Sequence, residues 1–159
     1  MTKTLVACFS ATGTTARVAH ELARALGADE FAIEPAEPYT AADLNWNDRK
    51  SRSSVEMNDE ACRPAVAGVV ADMGAYDTVF VGFPVWWYVE PRIIDTFLES
   101  YDFAGKTIVP FATSGGSGLG RAPERMQAIA KGATVLPGKL LNGRQSADAL
   151  RAWAEGLMR

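Results

Sequence analysis

The sequence predicts an α/β fold, doubly wound, with a parallel sheet covered by helices on both faces. Three observations predict it. Continuous apolar runs at residues 4–9, 78–83 and 106–112 read as strands buried on both sides. Between them lie segments whose apolar residues recur at helical spacing. Strands and helices alternate along the chain, which requires crossovers and leaves only a few right-handed topologies.

The chain has 159 residues, 48% of them hydrophobic, enough to fill one core and consistent with one domain over residues 1–159. Its net charge is −3 and no basic block occurs, which argues against a nucleic-acid partner. The two cysteines, Cys8 and Cys62, and the one histidine, His20, form no metal-ligand spacing, so no metal site is expected. The first nine residues are too short and too β-like for a signal peptide. No apolar run approaches a membrane span, and a cytoplasmic protein without membrane partners is expected.

The elements follow in order. After the first strand, Val18, Leu22 and Leu26 mark a helix that Gly27 ends as a C′ residue. Residues 30–34 alternate as a half-exposed strand, stopped by Pro35 and Pro38. Residues 39–63 are polar and irregular, as in a functional loop or one hiding a short helix. Val66, Val69 and Val70 suggest a helix after Pro64. The strand at 78–83 leads through an aromatic loop to a helix opened by Pro91, with Ile93, Ile94, Phe97 and Leu98 on one face. In the strand at 106–112, Pro110 removes a ladder donor. A helix carrying Met126, Ile129 and Ala130 ends at Gly132, and a short strand lies near 134–136. The last helix, 146–158, carries Leu150, Trp153, Ala154 and Leu157.

Ligands of such sheets bind outside the carboxyl ends of the strands. The loops leaving the three strongest strands should therefore share one site. The first, Ser10-Ala11-Thr12-Gly13-Thr14-Thr15, offers hydroxyls, a glycine and a helix N-terminus, which suits a phosphate. It has no lysine for a nucleotide-triphosphate loop and no dinucleotide glycine pattern. The second, Pro84-Val85-Trp86-Trp87-Tyr88, places flat rings at the ligand edge. The third contains Thr113, Ser114, Gly115, Gly116, Ser117 and Gly120, whose backbone N–H groups can meet a heterocycle's carbonyls.

A phosphate seat, a stacking ring and a polar backbone edge describe a flavin mononucleotide (FMN) site. In the stretches FSATGTTARVA, YDTVFVGFPVWWYVEPRIIDTFLE and GKTIVPFATSGGSGLG, in this order, the chain resembles the flavodoxin-like FMN-binding proteins, and among them a short bacterial type. The resemblance implies a five-stranded sheet ordered 2-1-3-4-5. It implies FMN phosphate on the first loop, the ring beside the second and its pyrimidine side along the third. All seventeen residues named in the three loops form the expected cofactor-binding set, with no catalytic side chain.

Two departures separate the chain from many flavodoxins. The third loop has no aromatic, so one flavin face is either open or covered by the segment 39–63 through Tyr39 or Trp46. The charge of −3 is also mild for an electron carrier. The leading expectation is an electron-carrying FMN protein whose partner is a redox protein or a small-molecule donor or acceptor. An NAD(P)H-dependent FMN oxidoreductase acting on a quinone or similar acceptor is the first alternative, and a non-redox binding module the second. A cysteine phosphatase does not fit, since Cys8 precedes the loop and Arg17 lies too far along the helix. A phosphoryl receiver does not fit either, since Ser10 and Ala11 stand where a carboxylate is needed. His20 and the cations Arg49, Lys50, Arg52 and Arg63 read as solvated surface.

Overall fold

The computed structural model describes residues 3–114 and 117–157. In chain order the elements are β1 (Lys3–Cys8), α1 (Thr14–Leu26), β2 (Asp29–Ala32), β3 (Glu34–Pro35), α2 (Arg52–Met57), β4 (Val66–Ala67) and β5 (Tyr76–Pro84). Then come α3 (Arg92–Glu99), β6 (Thr107–Thr113), α4 (Ala122–Ile129), β7 (Thr134–Val135), β8 (Lys139–Leu140) and α5 (Ala147–Leu157). The main sheet runs β2-β1-β5-β6, and its fifth position is shared by β7 and β8. Every pairing in it is parallel. Numbered by sheet position, the order is 2-1-3-4-5, as the resemblance implies.

The pleat divides the core. Along β5, Val79, Val81 and Phe83 face α3 and α4, where they meet Ile93, Ile94, Phe97 and Met126. Phe80 faces the other side, with Val18 and Leu22 of α1 and Leu150 of α5. Burying each such large side chain contributes about 1.5–3 kcal/mol. Helix ends follow local chemistry. Gly27 takes φ 64°, and the N–H groups of Gly27 and Ala28 close onto Arg24 and Ala23 carbonyls, which stops α1.

Two expectations are corrected and a third is extended. No helix carries Val66, Val69 and Val70, and only a single 3-10 turn at Met73–Ala75 comes between them and β5. Val66–Ala67 instead pairs antiparallel with Glu34–Pro35, so Pro35 lies within a strand. Gly68 at φ 78° then turns the chain, and β-branched Val69 is exposed. Arg52 and Arg63 are not a solvated face but partly buried members of ion pairs. The short strand expected near 134–136 is present as β7, and the sheet edge continues beyond it in a second piece, β8. Lys106, Ile108 and Ala112 carbonyls accept bonds from the edge, and Pro110, in phase with them, has no N–H to return. The edge strand parts opposite Pro110 and resumes as β8, with Gly138 against the Pro110 carbonyl. His20 is exposed and sits 3.0 Å from Glu30. Among the described residues, no helix is long and apolar enough to cross a membrane.

Candidate functional site

β1, β5 and β6 end side by side, and their three loops enclose one cleft. β1 delivers Ser10, whose Oγ accepts the Gly13 N–H at 3.0 Å. Gly13 stands at φ 93°, a conformation that favours glycine, and no side chain caps the helix there. The N–H groups of Thr14, Thr15 and Ala16 thus open α1 without intrahelical partners, and no acidic residue stands in that first turn. Thr12 and Thr14 are exposed beside them. Thr15 is buried, and its hydroxyl bonds the Thr113 hydroxyl at 2.8 Å, tying the first loop to the end of β6. Its hydroxyl therefore serves the frame, and its backbone N–H faces the same helix end as those of its neighbours.

Around this helix end lies a compartment of about 460 Å³, lined by Thr12, Thr14, Thr15, Thr113, Ser114, Asn142 and others, with no ionised side chain among the lining residues. It shares Ala11, Thr12, Pro84, Val85, Trp86 and Ser114 with a second compartment of about 660 Å³. The second adds Leu44, Trp46, Ser53, Trp87, Tyr88 and Ser117. A polar end and an aromatic end thus form one continuous cleft. Together they fit a phosphate joined to a planar ring.

The aromatic wall has a rigid member and a strained one. Trp86 is wedged against Phe9 and Tyr39, with ring centroids 5.6 Å and 5.5 Å away and planes nearly perpendicular. Tyr39 is held in turn by its hydroxyl bond to Glu56 at 2.5 Å and by the Arg52 guanidinium, 3.9 Å above its ring. Trp86 and Val89 then exchange backbone bonds of 3.0 and 3.1 Å, closing a two-residue hairpin turn on Trp87 and Tyr88. Both turn residues have positive φ, 48° and 67°. Such turns favour Asn and Gly, and a bulky residue there costs about 1–2 kcal/mol. The turn holds Trp87 and Tyr88 out at 44% and 70% exposure. Gly120 packs beneath it, where a Cβ would strike the Tyr88 carbonyl. Gly120 therefore supports the second loop and does not line the cleft.

In the third loop, the Ser114 N–H donates to Asn142 Oδ1 at 2.9 Å, and the Ser117 N–H donates to Ser114 Oγ at 2.8 Å. Gly115 and Gly116 lie outside the described residues. Asn142, Leu44, Trp46 and Ser53 are absent from the set expected from the three loops. Asn142 carried one signal, an Asn-Gly pair after a short apolar run.

The segment 39–63 reaches the cleft because it is fastened at both ends. Thr40 and Asp43 exchange side-chain bonds to each other's N–H groups, and Asp48 Oδ1 accepts the Lys50 N–H. Ser51 caps α2. At the far end of α2, Arg92 donates to the carbonyls of Met57 at 2.8 Å and Asp59 at 3.1 Å, where the helix dipole favours a cation. Arg92 is itself buried beside Asp95, and Arg125 reaches Asp95, Glu60 and Glu90. Burial and the Asp95 carboxyl push Glu90 well above the ordinary carboxylate range. The Arg125 guanidinium, 3.4 Å from the Glu90 carboxyl, opposes that shift. Burial likewise pushes the Cys8 thiol up to about 12. Among the described residues no cluster of His, Cys, Asp and Glu is arranged to hold a metal ion.

A sequence profile for flavodoxin matches residues 3–157. No match was found among curated proteins. The structure resembles a protein of Bacteroides eggerthii described as a candidate flavoprotein, with 49% identity over 100% of this chain and 99% of that one, at a TM-score of 0.92. A protein of Bacteroides uniformis with the same description gives 51% identity over 97% and 98% of the two chains, at 0.91. More distantly, a Lactobacillus acidophilus flavoprotein solved in complex with FMN shares 21% identity over 88% and 93%, at 0.71. With the flavodoxin profile matched over nearly its whole length, this chain belongs to the flavodoxin family.

Proposed function

We propose that this chain is an FMN-binding redox protein that accepts electrons from one partner and passes them to another. The observation that carries the reading is the uncapped N-terminus of α1, opening into a cleft whose other end is aromatic and uncharged. The FMN complex of the Lactobacillus acidophilus relative supports the choice of cofactor. The N–H groups of Thr14, Thr15 and Ala16, with the Thr12 and Thr14 hydroxyls, would hold the phosphate. Neutral donors and the helix dipole suit a dianion. Trp86, fixed from behind by Phe9 and Tyr39, would stack on the ring. Ser114, fixed by Asn142, would present the third loop to the ring's polar edge. When bound, FMN supplies one- and two-electron transfer, and the protein supplies position and electrostatics.

One observation favours a second reading, an FMN-dependent oxidoreductase acting on a small acceptor. Leu44 and Trp46 wall the aromatic end, making it a pocket where a carrier needs only an exposed ring edge.

Two measurements test the cofactor. Purified protein incubated with FMN and desalted should show flavin bands near about 375 and 450 nm. Their absence would overturn the reading. Thr12→Asp, at an exposed position, should weaken FMN binding by about 100-fold through repulsion of the phosphate, with an unchanged circular dichroism spectrum. Undiminished affinity would show that the phosphate lies elsewhere.

A further inference from the structure

The aromatic end of the cleft has more ring surface than one flavin can cover. An isoalloxazine has two faces. Four aromatic side chains, Trp46, Trp86, Trp87 and Tyr88, line that end. Only Trp86 is packed into the protein behind it, while the other three stand out at 71%, 44% and 70% exposure. Neither set is loosely held. Trp46 projects from a strap pinned by the Thr40–Asp43 and Asp48–Lys50 bonds and by Ser54 Oγ donating to the Asp48 carbonyl at 2.8 Å. Trp87 and Tyr88 are held out by a backbone conformation that costs free energy, with Gly120 fitted beneath. Large apolar rings presented to water on pinned backbone are poised for a ligand.

We propose that Trp46 and the Trp87–Tyr88 turn form a second ring site, beside the flavin ring, for an uncharged planar aromatic molecule of about two fused rings. The inference rests on the FMN reading given above. The lining sets the class of ligand. No ionised side chain lines the compartment, so a phosphate-bearing or sulfonated molecule finds no counter-charge there. Thr12, Ser53, Ser114 and Ser117 supply neutral hydroxyls to the lining, suited to donate to a carbonyl or hydroxyl oxygen on the ring. The aromatic compartment, about 660 Å³, has to take the flavin ring and the second ring together.

The test uses the FMN-loaded protein in its oxidised state, so that only binding is read. 2-Methyl-1,4-naphthoquinone is titrated against the flavin difference spectrum and tryptophan fluorescence, in parallel with the anionic 1,4-naphthoquinone-2-sulfonate. Saturable binding of the neutral probe is expected, with the sulfonate at least about ten-fold weaker. Trp46→Ala, at a side chain 71% exposed and therefore without risk to the fold, should weaken the neutral probe about ten-fold, and more than it weakens FMN. Unsaturable binding, equal affinity for the sulfonate, or an unchanged probe affinity in Trp46→Ala would overturn the proposal. A loss of FMN affinity as large as the loss for the probe would also overturn it, making Trp46 a cover for the cofactor. Failure of the FMN reading itself appears earlier, as wild-type protein that takes up no flavin.

Discussion

Gly82 leaves no space for a side chain. It pairs directly with Phe111 across β5 and β6, and a Cβ would enter the Phe111 ring. Gly82→Ala should therefore cost about 2 kcal/mol in urea unfolding, since the buried ring has nowhere to move. Combining it with Phe111→Leu should cost less than the sum of the two single changes, because the smaller side chain relieves the clash. An additive double variant would place the strain elsewhere. The sequence shows Gly82 only as a glycine inside a strand, a pattern that also fits a bulge. The partner ring belongs to another strand, so the cause is written 29 residues away. Thr15 is a similar case. Its position in a hydroxyl-rich loop points to a ligand, while its hydroxyl is committed to Thr113.

At the scale of elements, the strongest strands and helices were legible because each carries its own periodicity. The segment 39–63 was not, because what holds it lies outside it. Arg92 of α3 grips the end of α2, and Arg125 of α4 reaches Glu60. No local pattern announces those contacts, so Trp46 could be named as a cover but not placed. The same network makes a prediction about pH. Glu90 is buried against Asp95, and burial above all raises its pKa to about 9 from 4.5, against the pull of Arg125. A raised carboxyl pKa stabilises the fold fully below the unfolded value, and that contribution is lost as pH rises through the folded one. Stability should fall between about pH 5 and pH 9, by at most about 1.4 kcal/mol per pH unit. Glu90→Gln keeps a neutral donor beside Asp95 and should flatten that slope in urea unfolding followed across pH. An unaltered slope would mean that another group takes up the proton.

For the whole molecule, the order of the sheet brings three loops together that are 69 and 98 residues apart, counted from Thr15 to Pro84 and Thr113. A ligand held by all three ties distant parts of the chain to one another. FMN at about 100 times its dissociation constant should therefore stabilise the fold by about 2.7 kcal/mol, read as a rise in melting temperature. At the same FMN concentration Thr12→Asp, binding about 100-fold more weakly, should keep only about 0.4 kcal/mol of that gain, and an undiminished rise would place the stabilising ligand away from the first loop. The sheet order was legible once the three stretches were recognised together. The split in its last strand was half legible, since Pro110 announced a missing donor but not which neighbour would feel it.

That split bears on how the protein behaves in a crowd. β7 and β8 are two residues each, separated by an irregular stretch in which Gly138 has positive φ, and the opposite border, β2, is only four residues long. An unpaired strand invites another chain to add to it, and short or interrupted borders offer too little ladder for that. The proline that interrupts the fifth strand thereby helps to keep copies of this protein from joining sheet to sheet as their concentration rises.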